Sequence, residues 1–241
     1  MRVKVIGDLH GRDKWKKIVE NDKSSHFIFL GDYVDPYKAE GITVEDSINN
    51  LYDIIDFKIE NKNRVTLLIG NHDAQYMFYP DFGGVYGVKM TDRQELIELF
   101  QFNDPLFQFA YQKDNYLFVH AGISNGWYNE YKVFLKRMGL KDDMSNLGDL
   151  LNALGNSKAS IIFDQVSVHR GGGDINGSPI WADERELFTD HLKGFHQIVG
   201  HNKVMDIETY PLNIRQRKND NSSITFCDCL WFSDDFLTLN I

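Results

Sequence analysis

Only two of the 241 residues are cysteines, Cys227 and Cys229. They stand two apart in a run of strand character, where alternate side chains share a face and disulfide geometry is not met. Reduced thiols are therefore expected, and a disulfide scaffold is excluded. No run approaches the roughly 18 apolar residues of a membrane span, and the amino-terminal MRVKVIGDLHG has too short an apolar stretch for a signal peptide. A soluble, cytoplasmic protein with no membrane partner is expected on those grounds. Basic excess is also missing. The net charge is −9, which argues against broad capture of nucleic acid. No repeat, low-complexity tract or linker divides the chain, so a single domain over residues 1–241 is expected.

The chain has instead five apolar runs of strand length, each ending in a small residue and a side chain able to bind metal. They are VKVIGDLH (3–10), FIFLGDY (27–33), VTLLIGNHD (65–73), YLFVHAG (116–122) and QIVGHN (197–202). Glycines 7, 31, 70, 122 and 200 beside these side chains permit tight turns and close backbone approach.

Between the runs lie helical patterns at 14–20 and 43–59. The second is predicted to start on a Thr43–Asp46 cap and to bury Val44, Ile48, Leu51, Tyr52, Ile55 and Ile59. Thr91 with Gln94 repeats the cap signal ahead of Leu96, Ile97, Leu99 and Phe100. Strand and helix alternate through the first half, which predicts parallel pairing. Short strands near 207–210, 224–229 and 236–239 predict an antiparallel second half. The expected fold is α/β, a four-layer αββα sandwich flanked by helices. An aromatic-rich insertion at about 74–112 and a helical segment at about 125–157 interrupt it. Aromatic residues in that insertion read first as packing and second as a platform for nucleobases.

In parallel α/β sheets, ligands collect beyond the carboxyl ends of the strands. Asp8 and His10, two apart on extended backbone, would point the same way and share one ion. Asp32 can bridge two ions, and Asn71, His120 and His201 supply an amide oxygen and two imidazoles to the second. Mixed oxygen and nitrogen donors suit manganese first, with iron or zinc as alternatives, rather than calcium.

The motifs GDLHG (7–11), GDYVD (31–35), GNHD (70–73), HAG (120–122) and GHN (200–202) resemble those of the calcineurin-like metallophosphoesterases. The similarity is to the branch of serine/threonine protein phosphatases and their bacterial and phage relatives, and the segment at 226–241 resembles that branch's last strands. The resemblance implies Asp8, His10 and Asp32 on one ion and Asp32, Asn71, His120 and His201 on the other. It also implies His72 as the acid that protonates the leaving oxygen, with Asp35 orienting its ring. A carboxylate fixes the tautomer and raises the pKa of such a histidine, as a proton donor requires. Two ions would generate hydroxide from a bridging water and clamp the phosphate during in-line attack.

The sequence departs from the family pattern in two places. Pro36 stands where protein phosphatases carry a phosphate-gripping arginine, and Lys203 stands where nuclease-type relatives carry a second histidine. The latter favours phosphomonoesters over nuclease chemistry. Arg185 in PIWADER and Arg170 in HRGGGDING are candidates for phosphate binding, against a surface salt bridge and a loop without ligand contact respectively. His26, His191 and His196 read as structural. The expected activity is phosphomonoester hydrolysis on a phosphoprotein or small phosphoester. Hydrolysis of dinucleoside polyphosphates or other nucleotides is the second reading, and a non-catalytic metal-binding module the third.

Overall fold

The computed structural model describes residues 1–82, 84–85, 93–157, 160–211 and 221–241. In chain order the first elements are β1 (Arg2–Ile6), α1 (Trp15–Val19), β2 (His26–Phe29), α2 (Val44–Glu60), β3 (Val65–Leu68), α3 (Asn71–Met77), α4 (Gln94–Phe102) and β4 (Phe107–Gln108). There follow β5 (Ala110–Lys113), β6 (Tyr116–Val119), α5 (Asn125–Arg137), α6 (Leu147–Gly155), α7 (Glu184–Asp190), β7 (His196–Lys203), β8 (Glu208–Pro211), β9 (Ser223–Asp228) and β10 (Leu237–Asn240). These residues form two compact units, each with its own sheet. The first comprises Met1–Gln108, Lys203–Ile207 and Cys227–Ile241; the second comprises Phe109–Asn202 and Glu208–Phe226. No helix is long and apolar enough to cross a membrane among the described residues.

In the first unit the sheet order is β10-β1-β2-β3-β4. β1, β2, β3 and β4 pair in parallel, and β10 closes the edge antiparallel to β1. Val3, Val5, Phe27, Ile28, Phe29 and Leu67 are fully buried, because strands covered on both faces need uninterrupted apolar runs. α2 begins as its sequence predicts. Thr43 Oγ1 accepts the Asp46 amide at 3.0 Å, and Asp46 Oδ2 accepts the Thr43 amide at 2.9 Å. Its buried face differs from the predicted stripe. Ser47, Asn50, Leu51, Ile54 and Ile55 turn inward, while Tyr52 and Ile59 are exposed. The reason is a polar anchor: Asn50 Oδ1 accepts Trp15 Nε1–H at 2.9 Å, and its amide donates to the Arg12 carbonyl at 3.1 Å.

α4 buries Leu96, Ile97, Leu99 and Phe100 as predicted. Its supposed cap residue Thr91 lies outside the described residues, as does Tyr86 of the aromatic insertion. Several aromatic residues of that stretch pack on one another, while Tyr79 and Phe102 are exposed. Tyr76 stacks on Phe100 at 5.9 Å, Phe78 on Phe82 at 4.6 Å, and Phe100 meets Phe107 at 5.5 Å.

In the second unit the order is β5-β6-β7-β9-β8. β5–β6 and β8–β9 are antiparallel, and β6–β7 is parallel. Residues 125–157 supply α5 and α6, with the Ser124 hydroxyl accepting the Trp127 amide at 3.2 Å to start α5. Both cysteines are buried free thiols, and Cys229 sits one residue past the end of β9 rather than within it.

Candidate metal centre

Six described non-glycine residues have positive φ, and four of them were singled out from the sequence as site residues. They are His10 (φ 45°), Asp32 (φ 53°), Asp35 (φ 59°) and His201 (φ 62°). Such backbone is costly for residues with a Cβ and gathers at functional sites. The expectation of an extended Asp8–His10 pair is corrected by this. His10 turns left-handed after β1, because its amide and that of Leu9 both donate to the Asp32 carbonyl, at 2.8 and 3.0 Å.

In the first unit, His10 Nδ1 donates to the carbonyls of Val34 at 3.0 Å and Asp35 at 3.2 Å. That fixes the tautomer and leaves the Nε2 lone pair facing the Asp32 carboxylate at 3.7 Å and the Tyr37 hydroxyl at 3.1 Å. Burial drives the His10 pKa down to about 3 despite the attraction of Asp32, so the imidazole is neutral and able to donate to a metal. Burial, then Asp32 and Asp8, push the Tyr37 phenol up, which keeps it protonated. Donor atoms of His10, Asp32 and His72 lie within 4.8 Å of one another. Asp8 is buried but is not part of that cluster. Asn71, the first residue of α3, is buried.

His72 stands on the same helix. Its Nδ1 meets Asp35 Oδ2 at 2.8 Å, and its backbone amide donates to Asp32 Oδ1 at 2.9 Å. Burial lowers its pKa, but the charges of Asp32 and Asp35 outweigh that effect and hold it at about 9. Asp35 is also held by Gln75 Nε2 at 2.8 Å and by the Tyr76 hydroxyl at 2.6 Å, with Arg93 Nε 4.0 Å away. The sequence reading missed Gln75 and Tyr76. Their spacing of three and four from His72 on a helix is the signal that could have found them. Arg93 carries no such signal.

Two further features shape this turn. Asp73 is fully buried, and its carboxylate accepts the amides of Asp32 at 2.7 Å, Tyr33 at 3.0 Å and Gly70 at 2.9 Å. Burial and the like charge of Asp32 push its pKa upward, opposed by those amides. Gly70 has no room for a side chain, since a Cβ there would fall 2.1 Å from Asp32 Oδ1.

In the second unit, His120 Nε2 and His201 Nδ1 face each other at 3.2 Å. His120 directly follows β6, but His201 lies inside β7 rather than beyond it, contrary to the expectation that every ligand follows its strand. Its left-handed turn lets a residue within a strand present its ring to one at a strand end. Arg170 Nη2 donates to the His201 carbonyl at 3.4 Å and to Asn202 Oδ1, and its Nε pairs with Asp183 at 3.0 Å. Arg185 pairs with the same carboxylate at 2.7 Å and donates to the His169 carbonyl at 2.7 Å, with its side chain 59% exposed. It forms the salt bridge weighed from the sequence. His26 and His196 bond to the hydroxyls of Thr66 and Ser223, each at 2.8 Å, as structural histidines do.

The donor chemistry fits a divalent cation. Imidazole and carboxylate donors are brought together without thiolate, a set of the kind that manganese, iron or zinc takes.

A calcineurin-like phosphoesterase family profile matches residues 1–203. The serine/threonine-protein phosphatase SIT4 of Candida albicans is 30% identical over 139 residues, covering 51% of this chain and 40% of its own length. The chain spans about two fifths of the length of the curated relatives it matches. A solved serine/threonine phosphatase from Saccharomyces cerevisiae, described as similar to human phosphatase PP5, aligns with a TM-score of 0.51 at 15% identity, over 94% of this chain and 67% of that one. This likeness is one of fold. With the profile covering the strand-end motifs from Asp8 to His201, the chain belongs to the calcineurin-like phosphoesterase family.

Proposed function

We propose that the protein is a phosphomonoesterase working with two divalent cations, manganese first. Asp8, His10 and Asp32 are assigned to one ion and Asp32, Asn71, His120 and His201 to the other, an assignment supported by the order of the motifs and by family membership. Phosphoserine or phosphothreonine in a protein is the favoured substrate class, supported by the phosphatase relatives. Such ions lower the pKa of bound water and neutralise phosphate charge.

The observation that carries the reading is the His72–Asp35 pair at 2.8 Å beside the neutral donor His10, whose ring centre is 5.0 Å from that of His72. Asp35 holds Nδ1, so the His72 Nε2–H is the proton free to reach a leaving oxygen. As the P–O bond breaks, that proton passes to the departing alcohol and leaves His72 neutral. Gln75 and Tyr76 keep the Asp35 carboxylate from turning away. Asp32 serves both halves of the site, since Oδ1 accepts the His72 amide while Oδ2 faces His10.

The test is hydrolysis of p-nitrophenyl phosphate and its bis-ester by metal-stripped protein with and without Mn²⁺, alongside His72→Asn and Asp32→Asn. Mn²⁺-dependent monoester turnover abolished by both substitutions supports the proposal. Preference for the bis-ester would replace it with a phosphodiesterase.

A further inference from the structure

Beside His10 the first unit builds a wall from three distant parts of the chain. Tyr37 follows the turn after β2, Trp231 lies between β9 and β10, and Lys203 ends β7. The two rings meet edge to face at 4.8 Å. The Lys203 ammonium sits 3.6 Å from the Tyr37 ring centre and 4.4 Å from that of Trp231. Tyr37 reaches from this cation to the metal-donor histidine, since its hydroxyl is 3.1 Å from His10 Nε2.

Other cations nearby are occupied. Arg12 stacks on the same rings but is held by Glu40 through two bonds of 2.7 Å, and Lys14 is held by Asp234 at 2.9 Å. No carboxylate among the described residues lies within ion-pair distance of Lys203, although those of Asp8 and Asp228 are close enough to act on its charge. An aromatic face attracts an ammonium without neutralising it, so the cation is fixed in place while its N–H donors stay available.

We propose that Lys203, seated on Tyr37 and Trp231, binds a non-bridging oxygen of the substrate phosphate and so selects phosphomonoesters over diesters. This rests on the phosphatase reading above. A monoester carries close to two negative charges at neutral pH and a diester one, so an ammonium beside the site favours the monoester. Lys203 would thereby supply positive charge in a chain that has Pro36 after Asp35.

The experiment compares Mn²⁺-loaded wild type, Lys203→Gln and Lys203→Arg. Calorimetry measures inorganic phosphate and Mn²⁺ binding, and kinetics measure both p-nitrophenyl esters. Loss of one charge-assisted hydrogen bond predicts phosphate affinity about 10-fold weaker in Lys203→Gln and largely restored in Lys203→Arg. Mn²⁺ affinity stays unchanged, and KM rises for the monoester but not the bis-ester. Unchanged phosphate binding in Lys203→Gln, or an equal KM rise for both esters, would overturn the proposal. If wild type hydrolyses neither ester, the phosphatase reading fails, while phosphate binding still decides the role of Lys203.

Discussion

The carboxylate of Asp73 holds the backbone amide of Asp32 at 2.7 Å across 41 residues of chain. It thereby braces a left-handed aspartate from below, with the amides of Tyr33 and Gly70 completing the grip. In Asp73→Asn one acceptor becomes an amino group facing an amide N–H, and a buried donor loses its partner. The expected cost is about 1–3 kcal/mol, read as a lower denaturation midpoint with an unchanged m-value. With Asp32 assigned to the ions as proposed, Mn²⁺ affinity should fall about 10- to 100-fold, because the brace orients that carboxylate without replacing it. A variant with wild-type stability and wild-type metal binding would remove Asp73 from this role.

Gly70 gives a sharper test because its constraint is steric. A Cβ at this position meets Asp32 Oδ1 at 2.1 Å and the Asp32 amide nitrogen at 2.6 Å, both below any real contact. In Gly70→Ala the carboxylate must rotate away, breaking the bond from the His72 amide, or the turn must shift. Calorimetric titration should show Mn²⁺ binding weakened about 10- to 100-fold. Circular dichroism should show the fold retained. Normal Mn²⁺ binding would mean that the turn relaxes freely.

What the sequence made visible follows from burial. Parallel strands covered on both faces must be apolar throughout, so the ends of β1, β2, β3 and β6, and the side chains after them, stood out as interruptions of those runs. His201 was found for the same reason but misplaced, because alternation says nothing about a left-handed residue inside a strand. The face of α2 was shifted because Asn50 is buried as a hydrogen-bond partner of Trp15, and hydrophobic periodicity scores asparagine as surface. Gln75 and Tyr76 were legible in principle from helical spacing. Lys203 against Tyr37 and Trp231 was not, since three segments far apart in the chain converge there and no local pattern encodes it.

The His72–Asp35 pair predicts the alkaline limb of activity. His72 must be protonated to act as an acid, and its folded pKa is raised to about 9, so activity is full below that pKa and is lost as pH rises through it. Under the proposed assignment, cations at Asp32 would cancel part of that carboxylate's pull, which would place the limb of the loaded enzyme below 9. Asp35→Asn removes another raising contribution and should move the limb further down, toward histidine's ordinary value of about 6.5. The measurement is log kcat/KM for p-nitrophenyl phosphate against pH in both proteins. A limb that does not move on substitution would separate Asp35 from the proton donor.

Asp183 separates the two candidate arginines. Burial raises its pKa, but the bonds from Arg185 and the nearby charge of Arg170 outweigh that and keep the carboxylate below its usual range. Arg185 is the more exposed partner, with its side chain 59% exposed against 27% for Arg170. Exposed pairs contribute little, so Arg185→Ala should leave both the denaturation midpoint and metal binding nearly unchanged. Arg170→Ala should cost about 1–3 kcal/mol, because it also strips donors from Asn202 and from the carbonyl of His201. Since that carbonyl belongs to the residue whose ring faces His120, Mn²⁺ affinity should fall with stability in Arg170→Ala and in neither respect in Arg185→Ala. Urea denaturation and Mn²⁺ titration of the two variants decide it, and equal losses in both would mean that Asp183 depends on the two arginines alike.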